Sequence, residues 1–87
     1  MRTIFKYKLN LEISEINMPQ HAKVLSFQFQ NGTPYIWTEV ETDNNTEIRH
    51  FRVTGTGQYL PPECHTYIGT FQDGPFVCHL HEYGNKK

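Results

Sequence analysis

Residues 27–57 read FQFQNGTPYIWTEVETDNNTEIRHFRVTGTG, and this stretch decides the fold. Asn31-Gly32 lies between two runs that alternate apolar and polar. A type I′ turn needs positive φ at both central residues, so Asn-Gly in that place predicts a tight hairpin. Gln30 then faces Thr33, Gln28 faces Tyr35, Phe27 faces Ile36, Ser26 faces Trp37 and Leu25 faces Thr38. Because successive side chains point to opposite faces of a strand, Leu25, Phe27, Phe29, Ile36 and Val40 form a core face. The other face holds Val24, Ser26, Gln28, Gln30, Tyr35, Trp37 and Glu39.

Glu47 to Val53 alternates as well. Placing Phe51 and Val53 in the same core pairs this third strand with the second, Val40 against Arg49, Glu39 against His50 and Trp37 against Arg52. Tyr35, Trp37, His50 and Arg52 then share one wet face, an exposed tryptophan beside a guanidinium. Such a face suits a binding hot spot, or stacking of a base with Arg holding its phosphate. Cross-strand aromatic and cation–π pairs that only cover a sheet are the competing reading. Gly55-Thr56-Gly57 follows, and its backbone N–H groups could hold an anion. No apolar-periodic helix comes after it and the third glycine of a dinucleotide fingerprint is missing, so a turn needing positive φ is the simpler reading. The candidate ligand-binding set is therefore Tyr35, Trp37, His50, Arg52, Gly55, Thr56 and Gly57.

Working outward, residues 3–13 alternate with Phe5, Tyr7, Leu9, Leu11 and Ile13 on one side, a strand signal. Pro19 forbids a helix running past it, so residues 14–18 read as extended chain. Pro34, near a strand start, suits an edge. The glycines and prolines between 55 and 62 predict a long loop. A last hairpin spans Thr66 to Glu82 with Asp73-Gly74 as its turn. This sets Phe71 against Phe76, Gly69 against Cys78 and Tyr67 against Leu80 as an apolar face, with Ile68, Thr70, Val77, His79 and His81 opposite. Residues 83–87 read as a polar tail. The expected architecture is all-β: a single domain over 1–87, an antiparallel meander of about six strands forming a half-barrel or small sandwich.

Eighty-seven residues with net charge −1 offer no basic field for gripping nucleic acid, so no strong nucleic-acid binding is expected. The chain has no apolar run of membrane-spanning length, and residues 1–4 read as strand rather than signal peptide. Cys64 and Cys78 suit reduced thiols of a cytoplasmic protein; a disulfide between them is the alternative. Five histidines are present, and His79 and His81 share a face. No third zinc ligand can be placed by spacing, and Cys64 and His65 would point to opposite faces of a strand. Neither a metal, a cofactor nor a catalytic constellation is expected.

Thr3-Ile4-x-Lys6-Tyr7-x-Leu9, Met18-Pro19-x-x-Ala22-x-x-Leu25-Ser26, Gln30-Asn31-Gly32 with Trp37, Phe51-x-Val53-x-Gly55-Thr56-Gly57 and Tyr67-Ile68-Gly69-Thr70 together resemble a family of small phage and bacterial proteins. That family is catalogued as a domain of unknown function. His21 stands where the family often has glycine. The resemblance implies a standalone β protein, phage-encoded and acting in the host cytoplasm, and it brings no catalytic residues. The genomic habit of such proteins suggests a non-enzymatic role against host antiviral defence, by sequestering a nucleotide-type signal. The alternatives are docking on a host defence protein or a minor structural place in the phage. Exposed strand edges and a thin core add the expectation of a homo-oligomer.

Overall fold

The computed structural model describes residues 1–84. It contains seven strands: β1 (Arg2–Lys8), β2 (Ile13–Pro19), β3 (Lys23–Gln30), β4 (Thr33–Glu41), β5 (Thr46–Gly55), β6 (Thr66–Asp73) and β7 (Phe76–Tyr83). They form two antiparallel sheets, β1-β4-β3 and β2-β5-β7-β6, which pack face to face as a small sandwich. Of the tail expected at 83–87, Tyr83 ends β7, and residues 85–87 lie outside the described residues.

The β3–β4 hairpin has the turn its sequence demands, with φ of 52° at Asn31 and 78° at Gly32. Gln30–Thr33, Gln28–Tyr35, Phe27–Ile36 and Ser26–Trp37 are partners as expected. Beyond Ser26 the ladder shifts at a bulge, so that Val24 meets Thr38. The extra residue turns Leu25 outward, 46% exposed, and Val24 packs on the core in its place. Pro34 lies in the central strand β4 and not at an edge; it stands beside the turn and is fully buried.

The expected pairing of residues 47–53 with β4 does not occur. β1 lies beside β4, Lys6 against Trp37, while β5 crosses to the other sheet between β2 and β7. Both placements bury Phe51 and Val53, so the alternation of β5 could not choose between them. The run expected over 3–13 is likewise broken at residues 9–12. β2 restarts with Ser14, Ile16 and Met18 inward and Ile13 outward, 43% exposed. Between β2 and β3, His21 takes φ of 67°, the left-handed region that glycine adopts without strain.

In the β6–β7 hairpin Asp73 pairs with Phe76, which makes Gly74-Pro75 the central pair and not Asp73-Gly74. Gly74 has φ of 60°, as the first central residue of a type II′ turn requires, and Pro75 supplies the negative φ of the second. Phe71 thus faces Cys78 and Gly69 faces Leu80, a slip of two residues that keeps every side chain on its face. A second bulge, between Tyr67 and Gly69, does change faces: Tyr67 turns out, 60% exposed, and Ile68 packs on the core.

The core is Leu9, Ile16, Met18, Ala22, Phe27, Ile36, Val40, Phe51, Val53 and Leu80, drawn from both sheets. At one margin β3 and β6 run side by side without a ladder, joined by Phe29 stacked on Phe71 at 5.5 Å. At the opposite end of β5, Arg49 makes a bidentate pair with Glu82, Nε–Oε2 2.7 Å and Nη2–Oε1 2.8 Å. It also donates to the Ala22 carbonyl, tying β5, β7 and the β2–β3 turn together.

Candidate functional site

The seven expected ligand-binding residues fall into three places. Tyr35 and Trp37 lie half-buried on the outer face of the three-stranded sheet. Lys6, from β1, sits over the Tyr35 ring at 4.2 Å and over Trp37 at 5.5 Å, and donates to Gln30 Oε1 at 2.7 Å. The two rings are 6.1 Å apart. This is a cation–π cover over a sheet, with its cation already engaged. Trp37 and Arg52 are in different sheets, so the stack-and-clamp pair expected of them does not form.

His50 and Arg52 point out from the four-stranded sheet. Across from Arg52 stands His81, and across from His50 stands Tyr83, the His50 and Tyr83 rings 5.6 Å apart. Glu15 of β2 approaches His50 Nε2 at 3.4 Å. Tyr67, turned outward by its bulge, lies edge-on to His81 at 5.5 Å. A hydrogen-bonded chain runs alongside: Tyr67 Oη–Thr70 Oγ1 at 2.6 Å, Thr70 Oγ1–His79 Nδ1 at 2.9 Å, and His79 Nε2–Thr56 Oγ1 at 2.8 Å.

Three polar atoms on this face are buried and unpartnered: Arg52 Nε, His81 Nδ1 and, across from His79, Thr54 Oγ1. Among the described residues Arg52 has no carboxylate partner, unlike Arg2 with Glu39 and Arg49 with Glu82. Unsatisfied buried polar atoms are rare enough to need a reason. A guanidinium and an imidazole thus stand across from each other on neighbouring strands, each with one nitrogen unpaired.

Gly55 and Thr56 line a third place, an open cleft of about 660 Å³ at the end of the sandwich. Leu11, Phe29, Val53, Phe76 and Val77 supply apolar walls, and the cleft takes in Cys78. The Gly55 N–H is already taken by Gln58 Oε1 at 2.8 Å, and the Thr56 N–H by the Val77 carbonyl at 3.2 Å. The anion nest imagined for 55–57 therefore has two of its donors occupied. Gly57, at φ of 87°, serves the turn.

Burial pushes both the Cys64 and Cys78 thiols up, away from the thiolate a nucleophile needs. Among the described residues no three His, Cys, Asp or Glu side chains converge to hold a metal ion. The outer-face residues that sequence reasoning left out of the candidate set are Tyr67, Thr70, His79, His81 and Tyr83. The alternation of the last hairpin placed His79, His81 and Thr70 together, but nothing in it marked Arg52 as their neighbour; Tyr67 was hidden by the bulge.

His81 titrates below its ordinary value of 6.5, first because it is buried and second because His79 is near. The groups facing it are Arg52 on β5, Tyr67 on β6 and His79 on its own strand. Between its folded and unfolded values the unfolded chain binds more protons, so stability falls as pH drops through the window below 6.5. Thermal melts at descending pH should show this loss, and His81→Gln should shrink it. An anion on the face reverses the sign for binding: it favours protonated His81, so affinity should rise as pH falls.

The class defined by these observations is a small two-sheet β-sandwich with one covered aromatic face and one face of histidine, tyrosine and unpaired arginine. Over residues 1–87 the chain matches the family described as Domain of unknown function (DUF7352), and it belongs to that family. No curated protein and no solved structure matches it.

Proposed function

We propose that the protein is a non-catalytic binding domain that takes a phosphate-bearing, nucleotide-type small molecule on the outer face of the four-stranded sheet. The observation that carries this reading is the pair of buried, unpartnered nitrogens, Arg52 Nε and His81 Nδ1, on adjacent strands. A phosphate oxygen that reaches them gains charge-assisted hydrogen bonds from the Arg52 guanidinium. Tyr67 and Tyr83 flank the pair and offer ring faces to a base. A sponge for a host antiviral signal is the setting that the family resemblance suggests, and the geometry adds no argument to it.

The test is a melting-temperature screen with mononucleotides, cyclic dinucleotides, ADP-ribose and inorganic phosphate, followed by calorimetry. A ligand at about 100 times its Kd stabilises by about 2.7 kcal/mol, a rise of roughly 14 °C in a domain this small. Arg52→Ala should cut that rise to a fraction, weakening binding by about 1–3 kcal/mol with little change in the unliganded melt. Trp37→Ala should leave the affinity unchanged. The ligand recovered on denaturation should be chemically intact. No shift with any phosphate compound, or binding indifferent to Arg52, overturns the proposal.

A second reading, docking on a partner protein, is favoured by the end cleft. Leu11 is 63% and Phe76 69% exposed at its mouth, large apolar surface open to a partner side chain. Phe76→Ser would abolish capture of such a partner and leave nucleotide binding as it was.

A further inference from the structure

Two strands, β1 and β2, end their sheets with a free edge, while β3 and β6 cover one another. Which backbone groups face outward follows from the ladders. Val53 N–H bonds the Glu12 carbonyl, so in β2 the inward-bonding residues continue as Ser14, Ile16 and Met18. Ile13, Glu15, Asn17 and Pro19 present their backbone groups to the free edge. In β1, Leu9 N–H bonds the Pro34 carbonyl, which leaves Arg2, Ile4, Lys6 and Lys8 on its free edge.

The two edges differ in what they accept. A second copy of β1 laid antiparallel on β1 sets cation against cation in every centred register: Arg2 on Lys6, Arg2 on Lys8, or Lys6 on Lys6. That is the lysine guarding by which edge strands avoid self-pairing. The β2 edge has no such guard. Its one charge, Glu15, can sit opposite a neutral Asn17.

We infer that β2 is a self-complementary edge, and that the protein forms a symmetric dimer by antiparallel β2–β2 pairing with Ile16 on the two-fold axis. In this register Glu15 exchanges backbone hydrogen bonds with the partner's Asn17. At the ends of the pairing the Pro19 carbonyl already accepts from Ala22 N–H at 3.3 Å, so the Ile13 N–H could only share it, and the central Glu15–Asn17 exchanges carry the contact. Pro19 has no N–H, and the group it would have to reach, the Ile13 carbonyl, already accepts from Asn10 Nδ2 at 3.1 Å. The missing donor and the occupied acceptor thus fall opposite each other. The register with Glu15 on the partner's Glu15 opposes like charges, and the one with Asn17 on the partner's Asn17 sets Glu15 against Pro19, which has no N–H to return. The exposed Ile13 is covered by the partner's Pro19. Because the two-fold axis of an antiparallel pair is perpendicular to the sheet, the outer faces of both protomers lie on one side of a continuous eight-stranded sheet. A polyvalent or two-fold symmetric ligand could then span both Arg52 sites.

Sedimentation equilibrium from about 5 to 500 µM, with hydrogen exchange at both extremes, tests this. The expected result is a concentration-dependent dimer in which the Ile13, Glu15 and Asn17 amides gain protection on dilution's reverse, while β1 amides do not. Asn17→Pro removes an outward N–H without touching the β2–β5 ladder, and should leave a folded monomer. Asn17→Lys faces the partner's Glu15 twice and should tighten the dimer; Asn17→Glu should weaken it, by about fivefold in Kd either way. A monomer at every concentration overturns the inference. So does a species growing beyond the dimer, which would mean β1-on-β2 stacking, or equal effects of Lys and Glu at position 17, which would mean another register.

Discussion

Arg49→Ala should lower stability by about 3 kcal/mol, and the melting temperature by roughly 15 °C. The guanidinium grips Glu82 through two nitrogens and the Ala22 carbonyl through a third, with side-chain exposures of 17% for Arg49 and 22% for Glu82. Truncating it leaves a carboxylate facing the core beside Phe51, without its partner and only partly reached by water. The loss measures that stranded charge more than the worth of the pair. Arg49→Met with Glu82→Leu, which removes both charges and keeps the volume, should therefore recover much of it. A double-mutant cycle by urea denaturation checks the claim. If Arg49→Ala alone costs under 1 kcal/mol, the pair behaves as an exposed one.

Phe51→Ala should be the most damaging aromatic truncation, at about 3–5 kcal/mol. Phe51 has no exposure at all, packs in the core between the two sheets, and lies 5.8 Å from the Arg49 guanidinium. For a domain whose whole stability is about 5–15 kcal/mol, that loss leaves a partly unfolded population at 25 °C. Trp37→Ala should cost distinctly less, because its ring is half-exposed beneath Lys6 and no cavity closes over the space it leaves. Denaturant melts of the two variants order them. The single tryptophan gives a check without mutation: its emission should be partly quenchable and indifferent to nucleotides that bind at Arg52.

The β3–β4 hairpin was readable residue by residue, because Asn31-Gly32 determines a turn and the turn determines the register up to Ser26. The last hairpin was readable in its faces and not in its partners. Asp73-Gly74 and Gly74-Pro75 both make two-residue turns, and a slip of two residues leaves the hydrophobic pattern unchanged. The bulges at Leu25 and Ile68 had no signal, since an apolar residue stands on either side of each flip: Val24 could replace Leu25 in the core, and Ile68 could replace Tyr67.

The candidate site was half-readable for a related reason. Alternation assigns each of His50, Arg52, Tyr35 and Trp37 to an outward face, and all four do face out. It says nothing of which outward face, in a fold that has two. Local chemistry determined the strands, their inward residues and the all-β class, because turn residues and period-2 burial act over a few neighbours. Only the tertiary structure decided that β5 leaves β4 for β2 and β7. Either partner buries Phe51 and Val53 equally well, and the choice rests on how two whole sheets close over one core. That choice separated Arg52 from Trp37 and set it beside His81.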